Sequence, residues 1–199
     1  MKKKLLREWN ALEYTTEMLK EWREANDGKL IFPCILQKAQ LKNQNGRVYP
    51  RQILQREVEN YVKIVRENRA LGELDHPETS TVALDRASHI IRKIFWDGDV
   101  VRGQVEVLNT PKGKILESLL EAGIRVGMSS RGVGSTEQLE EGMDVVQDDY
   151  QLICFDAVSE PSTPGAFINE SLVEYDPRRT VSKADRIWRA LNDIVTGRK

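Results

Sequence analysis

The sequence predicts an α+β fold: a central, mostly antiparallel sheet, strongly curved or closed into a small β-barrel, surrounded by helices. Three observations carry this. Short alternating or wholly apolar runs are separated by turn signals such as Asn43-Gln44-Asn45-Gly46 and Asp97-Gly98. Helical apolar stripes fall between them rather than in a strict strand–helix repeat. The strand-like runs that follow one another closely imply hairpins, hence antiparallel pairing.

The elements follow in order. Over residues 5–25, Leu5, Trp9, Leu12, Thr16, Leu19 and Trp22 share one helical face, and Asn26-Asp27-Gly28 supplies a C-terminal stop. One amphipathic helix is expected there, covering the core edge or docking a partner. Residues 30–42 read as a strand ending at the Asn45-Gly46 turn. Pro50 then opens a helix over 51–68, with Ile53, Leu54, Val58, Tyr61, Val62 and Val65 on one face. Residues 86–96 and 100–108 form a hairpin around Asp97-Gly98. Thr110 caps the next helix, with Pro111 at its first position, an apolar face of Ile115, Leu116, Leu119 and Leu120, and Gly123 at its end. A strand over 124–130 follows, then a loop over 133–141. Residues 143–146 and 150–158 read as a hairpin around Asp148-Asp149, and 182–195 as a final helix behind a linker.

Composition narrows the function classes. The chain has 199 residues, 40% of them hydrophobic, enough for a real core. Its net charge of -1, from 30 basic and 31 acidic residues, gives no global field towards nucleic acid or an anionic membrane. Cys34 and Cys154 lie in apolar runs and belong to no Cys-x-x-Cys pair, which suits buried reduced thiols in an intracellular protein. No apolar run has membrane-spanning length, and no signal-type apolar core follows Met1-Lys2-Lys3-Lys4. A cytoplasmic protein that uses no cofactor is expected.

The chemistry points to acyl transfer, which needs a nucleophile, a base and an orienting acid. Gly127-Met128-Ser129-Ser130-Arg131-Gly132 places two serines between glycines at the end of an apolar run, a setting that also suits an ordinary loop. Only two histidines exist. His89 sits mid-strand and reads as a packing residue; His76, in Gly72-Glu73-Leu74-Asp75-His76-Pro77, is a base candidate or a plain loop histidine. Asp156 is the odd residue, a carboxylate in the wholly apolar run 152–158, where burial demands a partner. A histidine or the amides of the following turn could supply one. Glu73, Asp75 and Asp85 compete for the acid's role. Arg131 and Gly132 follow the serines and could offer amides to an oxyanion or position substrate; Arg131 could equally pair with an acid. The absence of a His-x-x-x-His pattern leaves too few ligands for a zinc reading.

These motifs resemble the prohead core proteases of T-even-type tailed phages. The likeness rests on 72–77, on 127–135, on Asp156-Ala157-Val158 with Pro161-Ser162, on 43–50 and on 94–103, in that order along the chain. The resemblance implies an assemblin-like serine endopeptidase of capsid maturation, with Ser129 rather than Ser130 as nucleophile, His76 as base, and Asp156 favoured over Glu73 as third member. It implies scaffold and major capsid proteins, and the enzyme itself, as substrates inside the immature capsid in the host cytoplasm, and an acidic residue before the cut bond. Glu174, in Leu172-Val173-Glu174, is the autocleavage candidate. Self-association stays open. The expected division is an N-terminal helix over 1–29, a protease domain over 30–169, and a linker and helix over 170–199 that are removed or serve assembly. The rival is a capsid-assembly or scaffold-binding protein on the same fold with a dormant site.

Overall fold

The computed structural model describes residues 3–12, 14–77, 79–139 and 142–159. The expected final helix and Glu174 lie outside them. The described fold is α+β: three α-helices and ten strands arranged as three sheets. No described helix is long and apolar enough to cross a membrane.

The first sheet carries the serine motif. Its middle strand, β7 (Gly127–Gly134), is flanked antiparallel by β1 (Lys4–Ala11) and β10 (Gln151–Val158). β1 corrects the expected helix over 5–25. Residues 4–11 are a strand, and helix α1 (Thr16–Glu24) begins only after Thr15, whose side chain accepts the Met18 amide. The helical stripe was real in spacing, but Leu6 and Glu8 also alternate with Leu5 and Arg7. Pairing along the whole of β7, from Lys4 opposite Gly134 to Ala11 opposite Gly127, settles that ambiguity in favour of a strand.

The second sheet has the order β2-β6-β5-β4. β2 (Ile31–Lys38) buries Phe32, Cys34 and Leu36 in alternation, as a strand with one face on the core must. β5 (Ala87–Asp97) and β6 (Val100–Val107) form the expected hairpin at Asp97-Gly98. β4 (Leu71–Glu73) is short and pairs with β5. The third sheet is small: β3 (Arg47–Val48) runs parallel to β9 (Asp144–Val146), which pairs antiparallel with β8 (Thr136–Gln138). Two further corrections lie here. Residues 133–141 are not all loop, because β7 runs on to Gly134 and β8 follows. β9 and β10 are not a hairpin but belong to different sheets. Alternation identifies a strand, not its neighbour.

α2 (Arg51–Arg66) lays Leu54, Val58 and Tyr61 on the core, with Tyr61 edge-on to Phe155 of β10 at 5.2 Å between ring centres. α3 (Pro111–Glu121) starts at the Thr110 cap and buries Leu116 and Leu120; Ile115, expected on the same face, is exposed.

The first two sheets meet along β10 and the end of β4. A parallel bridge joins Leu74 to Ala157, and the Asp75 amide donates to the Ala157 carbonyl at 2.7 Å. Deeper in, His89 Nε2 donates to the Phe155 carbonyl at 2.9 Å while its Nδ1 accepts from Ser88 Oγ at 2.8 Å. The His89 ring reaches β10 over Gly72, where a Cβ would stand 2.2 Å from Nε2, so only a residue without a side chain fits.

Candidate active site

Ser129 and Asp156 are Cα partners on β7 and β10, so their side chains project from the same face of the sheet. His76 arrives from outside the sheet. After β4 the chain turns at Asp75, which has φ 69° and whose carboxylate accepts the His76 amide at 2.8 Å. Aspartate tolerates this left-handed conformation through such a local hydrogen bond. Asp75, a competitor for the acid's role, therefore shapes the turn that delivers the histidine. Pro77 continues it.

The imidazole spans the two strand residues. His76 Nδ1 lies 2.9 Å from Asp156 Oδ2, and Nε2 lies 2.5 Å from Ser129 Oγ. With the Nδ1 proton donated to the carboxylate, Nε2 carries the lone pair that accepts the serine hydroxyl. The His76 side chain keeps 14% of its surface exposed, whereas Ser129 is 1% and Asp156 0% exposed.

The buried acid has several partners. Asp156 Oδ1 accepts the Glu73 amide at 3.0 Å and Arg131 Nη2 at 3.2 Å, and Oδ2 lies 2.9 Å from Arg131 Nε. Burial on its own would raise the Asp156 carboxyl. The hydrogen bond from His76, the Arg131 charge and the Glu73 amide outweigh it and hold the group below its ordinary value, so it is ionised at neutral pH.

Arg131 is itself 0% exposed. Its guanidinium also reaches Glu73 Oε2 at 3.2 Å, the Thr79 carbonyl at 2.8 Å and Cys154 Sγ at 3.1 Å. Burial would lower its pKa, but the surrounding Cys154, Asp156 and Glu73 raise it, and it stays charged. Glu73 accepts the Ala83 amide as well. Behind the histidine thus lie two buried carboxylates and one buried guanidinium. Arg86 stands farther off, its Nε 3.7 Å from Glu73.

The sequence matches a known family. Residues 16–176 match the family described as prohead core protein serine protease. The chain belongs to that family. It is accordingly a peptidase. The chain is 33% identical over 184 residues to the prohead core protein protease of Enterobacteria phage T4, covering 86% of this chain and 87% of that one. Its fold matches the solved structure of the bacteriophage T4 capsid assembly protease, gp21, with a TM-score of 0.70 and 28% identity, over 81% of this chain and all of that one.

Within this family member the other expected residues have defined places. Ser130 points to the opposite face from Ser129, and its Oγ accepts Gln37 Nε2 at 2.9 Å. Glu73 does not touch His76; it braces Asp156 and Arg131. His89 is fully buried between Ser88 and Phe155, and desolvation lowers its pKa to about 4, so it is neutral at physiological pH. Arg131 and Gly132 both have strand partners on each side, Arg7 and Cys154 for the one, Leu6 and Leu152 for the other. Gly132 also lies under the Tyr150 ring, where a Cβ would come within 2.4 Å of Cε2.

Two features escaped the sequence reading. Cys154 lies across from Arg131 and lends its sulfur to the guanidinium; its period-two spacing from Asp156 was the available signal. A cleft of about 380 Å³ opens beside His76, lined also by Leu5, Arg7, Asn45 and Arg47. No sequence pattern joined those residues to the histidine.

Proposed function

We propose that this chain is a serine endopeptidase that cleaves scaffold and capsid proteins, and itself, as a prohead matures. The observation that carries the reading is the His76 ring, with one nitrogen 2.5 Å from Ser129 Oγ and the other 2.9 Å from a buried, ionised Asp156. In the first step Ser129 Oγ attacks the peptide carbonyl while Nε2 takes its proton. Asp156 fixes the tautomer and stabilises the imidazolium. His76 then returns the proton to the leaving amine, and water repeats the sequence on the acyl-enzyme. Arg131 acts on this chemistry through its side chain, by orienting Asp156. The amides of Arg131 and Gly132, within a middle strand paired on both sides, are less suited to the oxyanion that the sequence suggested for them.

We extend the proposal to the shape of the sheets. The strand series β1-β7-β10, bridged at Leu74 and Ala157 to β4-β5-β6-β2, forms one strongly curved, barrel-like wall behind the site. Scaffold and major capsid proteins are the partners within the immature capsid, and the tail is trimmed after Glu174, which releases residues 175–199.

Incubation with the scaffold protein of the same phage, followed by mapping of new termini, tests the activity. Cleavage that persists in a folded Ser129→Ala variant overturns the assignment. Intact-mass comparison of the same two proteins tests trimming at Glu174, and equal masses remove it.

One observation favours the second reading, a dormant site on an assembly protein. Ser129 is 1% exposed. Labelling with a fluorophosphonate decides: stoichiometric modification of Ser129 supports the enzyme, and an inert serine in processing-competent proheads supports dormancy.

A further inference from the structure

We infer that Arg7 is a specificity-determining residue, whose guanidinium binds an acidic side chain of the peptide substrate close to the scissile bond. The inference rests on the endopeptidase reading above. Arg7 lies on β1 opposite Arg131, two residues from the position paired with Ser129, so its side chain leaves the sheet on the serine's face. It lines the same cleft as His76, whose Nε2 is 2.5 Å from Ser129 Oγ. A side chain seated in that cleft is therefore next to the reacting bond.

The charge balance singles out Arg7. Two arginines line the cleft, but Arg47 is matched. Its Nη1 lies 2.7 Å from Glu8 Oε1, and Glu8 also accepts Tyr49 Oη at 2.8 Å and Asn45 Nδ2 at 2.7 Å. Glu8 is buried and points away from the serine's face, so it braces the Asn45–Arg47 wall and leaves Arg7 alone. Asn45 Nδ2 and Arg47 Nη1 reach only the Arg7 main-chain carbonyl, at 2.9 and 3.3 Å. Among the described residues the Arg7 guanidinium has no acidic partner, and the residue is half-buried and lines an open cavity. A partly desolvated cation with a vacant side selects a carboxylate over its amide, because the amide carries no charge to offset it.

The test is a cleavage-site profile. Wild-type, Arg7→Gln and Arg7→Glu proteins digest a proteome-derived peptide mixture, with Ser129→Ala as blank, and mass spectrometry maps the new termini. The expected wild-type profile has Asp or Glu enriched at one fixed position beside the cut. Arg7→Gln lowers that enrichment at least fivefold, and Arg7→Glu moves it to Lys or Arg, a gain that misfolding cannot produce. Undiminished acidic enrichment in both variants, or none in the wild type, overturns the role of Arg7 while Ser129-dependent cleavage stands. If no terminus depends on Ser129, the endopeptidase reading fails first, and this inference with it.

Discussion

Asp156 faces Ser129 directly across the β7–β10 ladder, and neither side chain is exposed by more than 1%. The spacing of acid and serine is therefore set by a sheet register rather than by loops. Only the histidine is delivered by a turn, and that turn is tied to β10 through Asp75 and Ala157. Two rigid strand positions and one braced turn suit a site that must hold its groups in place.

Asp156→Asn is expected to lower kcat roughly 10³–10⁴-fold, since an amide at Oδ2 favours the wrong imidazole tautomer. Glu73→Gln, whose side chain reaches His76 only through Arg131 and Asp156, is expected to cost far less. Peptide hydrolysis by the two purified variants checks the order, and equal losses would move the acid's role towards Glu73.

Removal of the buried guanidinium should be felt as stability. Arg131→Met strands two carboxylates and is expected to cost about 3–5 kcal/mol. Adding Glu73→Gln removes one stranded charge and should recover part of that loss. Urea unfolding of both single variants and the double variant measures the coupling; strict additivity would refute the ion-pair account.

Gly132→Ala is expected to destabilise by about 1–3 kcal/mol through overpacking against the Tyr150 ring. The cause is space, so Tyr150→Leu in the same chain should relieve it in part. Thermal melts of the single and double variants provide the check.

Acid sensitivity should appear in two windows. His89 has a folded-state pKa of about 4 against an ordinary 6.5, so between these values the unfolded chain binds a proton that the folded one does not. Stability therefore falls as pH drops from 6.5 to 4, by up to about 3 kcal/mol. Asp156, held below its ordinary 3.8, contributes stability above that value and loses it only as pH falls further. A pH series of melting temperatures for His89→Gln should be flatter than wild type between pH 4 and 6.5 and parallel to it below.

Much of this fold could be read from local signals. α2 has a clean stripe, α3 has Thr110 and Pro111 at its start, and β5 and β6 flank a two-residue turn. Misreadings arose where pairing partners lie far apart in sequence. β1 fitted two periodicities until β7 chose one, and β9 passed for β10's hairpin mate although it pairs with β3 and β8. The site divides in the same way. A scarce histidine, a glycine-flanked serine and an aspartate in an apolar run are visible in a string of letters. The Arg131–Glu73 pair and the Arg7 cleft depend on which strand lies beside which, a matter of register that no local pattern encodes.

The placement of β7 between the first and last described strands governs timing as well as geometry. In a chain emerging from the ribosome, β1 precedes β7, and β10 is the last of the described strands to appear. Until β10 arrives there is no Asp156 against the histidine, no carbonyl at Ala157 to hold its turn, and no second neighbour for the serine's strand. On the proposed mechanism, the nascent polypeptide has no assembled triad until β10 has been made. A truncated product ending before residue 151 should be inert as well, a safeguard written into strand order alone.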